Sequence, residues 1–187
     1  TGMSRFGKQP ELSIGQIALP AIREAIADAG IEKSDVEAAF CGSVLSRGGP
    51  GQKVLKGIGL SGIPIVNVEN ACSSGSSAVR EAYYSIRSGQ YDVVLVFGVE
   101  KLTVLGGGPL PLDSEDIEAA QGVVMPAIYA MRAQRHMEEF GTTVEQLAKI
   151  AVKNHRNGAL NPKAQYQNLI TVEEVLASRP IAEPLTL

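Results

Sequence analysis

The residues of greatest chemical reach in this chain are two cysteines, Cys41 and Cys72, and two histidines, His136 and His155. Cys72 stands in the segment Val66-Asn67-Val68-Glu69-Asn70-Ala71-Cys72-Ser73-Ser74-Gly75-Ser76. An apolar, strand-like run from Ile63 to Val68 ends just before it. A helical stripe of Ala78, Val79, Ala82, Tyr83 and Ile86 follows it. A cysteine at a strand-to-helix junction faces backbone N–H groups that lack helical partners, and the positive end of the helix dipole. Both stabilise negative charge on sulfur, and the anion is the nucleophilic form. The same amides can help hold a developing oxyanion. Ser73, Ser74, Gly75, Ser76 and Ser77 are small, so a ligand or a second subunit can approach closely. Against this stands the commoner role of a lone cysteine as a small buried hydrophobe. Placement alone leaves both readings of Cys72 open. For Cys41, inside the strand pattern Ala38 to Val44, the buried role is expected.

The elements that would position Cys72 read as follows. Ile14, Ile17, Ala18, Ala21, Ile22, Ala25, Ile26 and Ala29 recur at helical spacing, with Gly30 as a stop and Pro20 as a first turn or a kink. Ala38 to Val44 predicts a strand, Ser46 to Gln52 a glycine-rich loop, Val54 to Leu60 a short helix, and Ile63 to Val68 a second strand. The helix after Cys72 ends at Gly89. The unbroken run Asp92 to Gly98 predicts a strand covered on both faces of a parallel sheet. Strand and helix alternate, which predicts a doubly wound α/β layer.

Beyond Leu102 the pattern changes. Gly106-Gly107-Gly108-Pro109 and Pro111 form a cluster of breakers and Asp113 to Glu118 an acidic, exposed stretch. The glycines lack both the GxGxxG spacing and the Lys-Ser/Thr of a phosphate loop, so a loop is expected. A helix is expected from about Ala127 to Phe140, stopped by Gly141. Thr142-Thr143-Val144-Glu145 reads as a capping box opening the next helix, which ends near Asn157-Gly158. Asn161-Pro162 reads as a turn, and Thr171-Val172-Glu173-Glu174 caps a last short helix. No strand is expected between 104 and 180, and a return strand is expected from Ile181 to Leu187. The division that follows is an α/β core at 1–103 and a helical loop domain at 104–187. The start at Thr1-Gly2-Met3-Ser4, without an initiator, reads as a boundary cut through an element.

Composition narrows the function classes. With 187 residues, 44% hydrophobic and 20% charged, the chain can bury a core. A formal charge of −3 supplies no basic field for nucleic acid. Neither cysteine sits in a CxxC pair, so a metal or disulfide framework is not expected, and a reducing cytoplasm fits. No apolar run approaches the ~20 residues of a membrane helix.

Asn70-Ala71-Cys72-Ser73-Ser74-Gly75 resembles the nucleophile segment of the thiolase superfamily, most closely its sterol-carrier-protein type, the lipid-transfer acetyl-CoA acetyltransferases. Gly2 to Gly7 resembles the end of that family's first strand, and Gly62 to Val68 its third. Gly98-Val99-Glu100-Lys101-Leu102 resembles the Gly-x-Glu-x-Met turn after its fourth. Met131 to Thr143, Ala151 to His155 and Asn161-Pro162 resemble the insertion of this subfamily. The resemblance covers nearly the whole chain.

It implies a layered sheet with helices on both faces, only the N-terminal half of the family's double repeat, plus a helical loop insertion. It implies that Cys72 takes an acyl group from acyl-CoA as a thioester and passes it to CoA or to a second acyl-CoA. Coenzyme A enters as substrate, with no covalently bound cofactor and no metal. Arg132, Arg135, Lys153 and His155 are candidate CoA contacts on the insertion. A homo-oligomer, a dimer or higher, is implied, through Ile65 to Val68. Glu100 is expected to orient the strand–turn segment, and His136 and His155 to serve as surface, capping or packing residues.

The family's Gly-His-Pro histidine and its second, proton-moving Cys-Gly cysteine belong to a C-terminal half that this sequence does not contain. Cys41-Gly42 spells that dipeptide in the wrong half. Two further readings therefore stand beside a thiolase. One is a non-catalytic or split subunit that binds acyl-CoA and needs a partner chain for the C-terminal half. The other is a ketoacyl synthase-type condensing enzyme or a CoA-thioester carbon–carbon lyase.

Overall fold

The computed structural model describes residues 1–187 except 47, 107–109, 111 and 114. The chain divides into two compact units. One comprises residues 1–4 and 8–104, the other residues 5–7 and 105–187.

The first unit is built around helix α1 (Ile14–Ala29), strand β1 (Ala38–Gly42), helix α2 (Pro50–Leu55), strand β2 (Ile65–Val68), helix α3 (Ser74–Arg87) and strand β3 (Val94–Gly98). α1 starts at a capping box, the Ser13 hydroxyl accepting the Gln16 N–H while the Gln16 side chain accepts the Ser13 N–H. It ends at Gly30, whose φ of 67° is a left-handed cap. Pro20 lies in the helix interior rather than its first turn. The sheet is parallel, in the order β2-β1-β3. β1 is buried on both faces. Ala39 and Cys41 join α1 and α2 residues (Ala18, Ile22, Val54, Leu55) in one core, and Ala38 and Phe40 meet Ala78 and Ala82 of α3 in another. The alternation of a strand sends successive side chains to opposite faces. Helices therefore lie on both faces, as the alternating pattern predicts. The topology also requires it. A right-handed crossover from β1 to β2 and another returning past β1 to β3 must use opposite faces.

Several expectations are corrected. Ser46 to Gln52 is not all loop. Gly49 adopts φ 70° and Pro50 opens α2 as its first residue, where a missing N–H costs nothing. The helix expected over Val54 to Leu60 is the end of α2 plus a 3₁₀ turn, Lys56–Ile58. Gly2 to Gly7 forms no strand; Met3 N–H instead donates to Glu24, and the Ser4 hydroxyl to Ile17 O. β3 is an edge strand covered on both faces, Leu95 and Phe97 packing into the α1/α2 core and Val94 and Val96 against the α3 core, although only Leu95 falls below a tenth exposed.

The second unit holds helices α4 (Ile117–Ala120), α5 (Met125–Phe140), α6 (Val144–Ala159) and α7 (Val172–Ala177) and strands β4 (Pro180–Ala182) and β5 (Leu185–Thr186). α4 begins within the stretch expected to be only acidic and exposed; Asp116 caps it by accepting the Glu118 and Ala119 N–H groups. α5 ends at Gly141 and α7 starts at the Thr171/Glu174 box, as expected. The capping box of α6 lies one residue later than read, Thr143 pairing with Gln146. Ile181 to Leu187 is not a return strand but part of an antiparallel hairpin, β4-β5, outside the parallel sheet. Most of the Gly106–Pro111 cluster lies outside the described residues. No helix among the described residues is long and apolar enough to cross a membrane.

Candidate active site

The C-terminal ends of β1, β2 and β3 lie side by side, because the strands are parallel and in register. In open α/β sheets this edge is where ligands bind. Cys72 follows β2 there and Glu100 follows β3.

The turn carrying Cys72 is built residue by residue. Ala71 has φ 46°, the only described residue other than glycine in the left-handed region. Such a conformation costs about 1 kcal/mol or more for a residue with a Cβ. It reverses the chain sharply between β2 and α3, leaving the Cys72 side chain exposed. The strain is held by hydrogen bonds. Ser73 N–H donates to Asn70 O at 2.9 Å and Ser74 N–H to Ala71 O at 3.1 Å. The Ser74 hydroxyl accepts the Asn70 N–H at 2.9 Å and donates to Ala71 O at 2.7 Å. The Asn70 amide donates to the Ser77 hydroxyl at 2.8 Å, and the Glu69 carboxylate accepts the Ala71 N–H at 2.7 Å. Ser73, the N-cap of α3, makes no side-chain cap. The first-turn N–H groups thus stay turned toward the Cys72 end of the helix.

β1 meets this turn directly. A Cβ at Gly42 would lie 2.9 Å from Gly75 N, Ser74 C and Ser74 O, so only glycine lets strand and helix come this close. Beyond Gly42 the loop is fastened by Glu100. Its carboxylate accepts Val44 N–H at 2.7 Å and Leu45 N–H at 3.2 Å, with the Ser46 hydroxyl at 3.3 Å and the Ser43 hydroxyl at 3.5 Å. Glu100 therefore orients the segment after β1, as expected of it. Cys41 is fully buried, and burial, with the Glu100 charge second, pushes its thiol from an ordinary 9.0 up to about 12. Burial and a bound proton both disfavour its reaction at neutral pH.

The candidate CoA contacts all belong to the second unit. Arg132 and Arg135 are exposed on α5. The Arg132 guanidinium lies 5.4 Å from the Tyr129 ring, and Arg135 pairs with Glu139 at 3.0 Å. Both line a shallow surface depression with His136, Met131 and Phe140, which Lys153 and His155 do not share. The latter two lie on α6. His155 Nδ1 is 3.1 Å from Asn168 O, and its ring stacks on Tyr166 at 5.9 Å. His136 is tied to the Thr142 hydroxyl at 2.9 Å and packs on Phe140. Arg132 and Arg135 thus share one depression, and Lys153 and His155 are not part of it. No group of three or more potential metal ligands occurs among the described residues.

Sequence reasoning identified Cys72 and Glu100 but passed over Asn70 and Ser74 as parts of the turn. Their signal was the Asn-x-x-x-Ser spacing around a cysteine, legible only once Ala71 is known to be left-handed.

Known proteins resemble this chain in sequence and in fold. The chain is 40% identical over 98% of its length to an acetyl-CoA acetyltransferase of Methanothermobacter thermautotrophicus, and 40% identical over its full length to the benzoylsuccinyl-CoA thiolase subunit BbsB of Thauera aromatica. It is 37% identical to sterol carrier protein 2 of Gallus gallus. It spans about half the length of the first two and 37% of the third. Among solved structures, an Ltp2-ChsH2(DUF35) aldolase superposes on all of this chain and 49% of that one with a TM-score of 0.81 at 30% identity. An acetyl-CoA acetyltransferase from Syntrophomonas wolfei shares the fold with a TM-score of 0.62 over 88% of this chain and 48% of that one, at 21% identity. The profile of the thiolase N-terminal domain matches residues 1–179, and with the parallel sheet and its cysteine-bearing turn this makes the chain a member of the thiolase family.

Proposed function

We propose that this chain supplies the acyl-accepting half of a thiolase-type acyltransferase, with Cys72 as the acyl carrier. The observation that carries the reading is the strained Ala71 turn, which leaves an exposed thiol ahead of the first turn of α3. The Cys72 sulfur adds to the thioester carbonyl carbon of acyl-CoA. The carbonyl oxygen becomes an oxyanion held by nearby N–H groups. The carbon–sulfur bond to CoA then breaks, CoA leaves as its thiol carrying the proton of Cys72, and the acyl group remains on Cys72. Transfer to CoA or to a second acyl-CoA completes the cycle.

Among the described residues, the unit that holds Cys72 contains no histidine to move those protons. His136 and His155 belong to the second unit, where they bond to Thr142 and to Asn168 O. We infer that the proton-moving groups come from polypeptide outside these 187 residues, on the same or a separate chain. General acid–base catalysis contributes about 10²–10⁴-fold, so the 187 residues alone turn over slowly. Two surfaces fit partners. β2 is an edge strand that a second copy can extend, and Val79, Tyr83 and Tyr84 of α3 are each more than half exposed. Arg132, Arg135, Lys153 and His155 are proposed to contact the CoA phosphates. A free thiol at the site fits a reducing cytoplasm.

Incubation with acetyl-CoA, and separately with iodoacetamide, followed by peptide mapping, tests the reading. Modification is expected at Cys72 and not at Cys41. Equal modification of both, or none at Cys72, sinks it. A second reading, a carbon–carbon lyase working with a partner subunit, draws on the aldolase whose structure this chain matches at 30% identity. It is favoured if acetyl-CoA leaves Cys72 unmodified while iodoacetamide labels it.

A further inference from the structure

Resting on the reading of Cys72 as acyl carrier, we propose that Ser74 is a positioning residue that sets the orientation of the Ala71–Cys72 peptide through its hydroxyl. The Ala71 carbonyl belongs to the peptide whose N–H is that of Cys72. Fixing that oxygen fixes the plane, and with it the direction of the Cys72 N–H and the origin of the Cys72 side chain. Ser74 grips the oxygen twice, by its N–H at 3.1 Å and by its hydroxyl at 2.7 Å. The same hydroxyl accepts the Asn70 N–H at 2.9 Å, so one oxygen atom bridges both sides of the left-handed residue. Ser74 is 5% exposed, and its only hydroxyl proton is committed to Ala71 O.

A helix start has no need of this arrangement. The conventional cap lies one residue earlier, at Ser73, and Ser73 makes no side-chain cap. The hydroxyl that closes the turn comes from inside the helix and reaches back across the cysteine. Without it the backbone bond at 3.1 Å remains, but the peptide can rock, and the Asn70 N–H loses its acceptor. Acyl transfer demands alignment of nucleophile and oxyanion donors, whereas alkylation by a small reagent demands an accessible sulfur alone.

The test compares single-turnover acetylation of Cys72 by acetyl-CoA with its alkylation by iodoacetamide, in the full chain and in S74A and S74T. Acetylation is expected to fall at least about tenfold in S74A, a modest misalignment penalty beside the effect of losing an oxyanion donor. Alkylation should stay within about threefold, and S74T, which keeps the hydroxyl, should restore acetylation to within about threefold. If S74A does not fold, the isosteric pair S74T and S74V makes the same comparison at constant shape, with Val about tenfold the slower. Acetylation of the hydroxyl-free variant within twofold of its hydroxyl-bearing reference overturns the role of Ser74. An equal fall in acetylation and alkylation also overturns it, since that is loss of fold or access. Failure of the wild-type chain to acetylate Cys72 overturns instead the acyl-carrier reading on which this role rests.

Discussion

Gly42 and Gly75 lie at the same joint but only a Cβ at Gly42 would point into it, so a methyl group at each should have opposite effects. A Cβ at Gly42 would meet three backbone atoms of the first turn of α3 at 2.9 Å. Carbon contacts settle near 3.5–4.0 Å, so the overlap is about 0.6 Å or more, and backbone atoms cannot swing aside as a side-chain tip can. The helix start must shift away from β1 or β1 must bend. Overpacking of this kind costs about 1–3 kcal/mol. At Gly75 a Cβ meets nothing within 4 Å, and the residue lies inside α3. Glycine in a helix interior is about 0.5–1 kcal/mol worse than alanine; Gly75 is the second residue of α3, where that figure is a ceiling, so G75A should stabilise by up to that amount. For a chain of this length about 1 kcal/mol moves the midpoint by roughly 2–4 °C. Thermal unfolding followed by circular dichroism should therefore show G42A melting about 2–12 °C lower and G75A up to about 4 °C higher. G42A should also slow acetylation of Cys72 by acetyl-CoA, because the displaced turn is the one that aims it. A G42A midpoint within 1 °C of wild type, with Cys72 reacting normally, would refute the claim that strand and helix are in hard contact at this point.

Three further outcomes can be checked. E100A leaves the Val44 and Leu45 N–H groups without their acceptor, and urea unfolding should report a loss of about 1–3 kcal/mol, with E100Q losing less because its amide oxygen still accepts. The raised thiol of Cys41 makes the folded state hold a proton that the unfolded chain releases near 9.0. Stability should therefore be complete below that pH and fall by up to about 1.4 kcal/mol per unit as pH rises toward 12. In C41A, urea midpoints measured between pH 8 and 10.5 should lose this slope. T143A removes the side-chain cap of α6 and should cost about 1 kcal/mol by thermal unfolding, whereas T142A should stay within about 0.5 kcal/mol; equal losses would restore the earlier placement of the box.

What could be read in the sequence divides along a physical line. α1 was legible because its apolar period, its left-handed stop at Gly30 and its length all act locally. A parallel sheet with helices on both faces was legible because strand and helix alternate along the chain, whereas the strand order β2-β1-β3 was not read. The misread elements are those where one residue type serves two purposes. Pro50 breaks a helix unless it opens one, and it opens α2 because Gly49 turns left-handed before it. Thr142 and Thr143 are each followed three residues later by a residue able to close a box, Glu145 or Gln146, so composition could not choose between them. The site divides in the same way. Cys72 is visible as a residue type at a junction. The turn that presents it depends on Ala71 adopting φ 46°, a conformation that alanine's own preferences oppose. It is imposed from around it, by Ser74 from within the helix, Asn70 from before the turn, and Gly42 from a strand roughly thirty residues earlier, whose missing side chain lets the helix begin where it does. No one of these residues carries the signal. Only their meeting at the carboxyl edge of the sheet makes the turn, and so an alignment-free reading can find the cysteine and still miss what aims it.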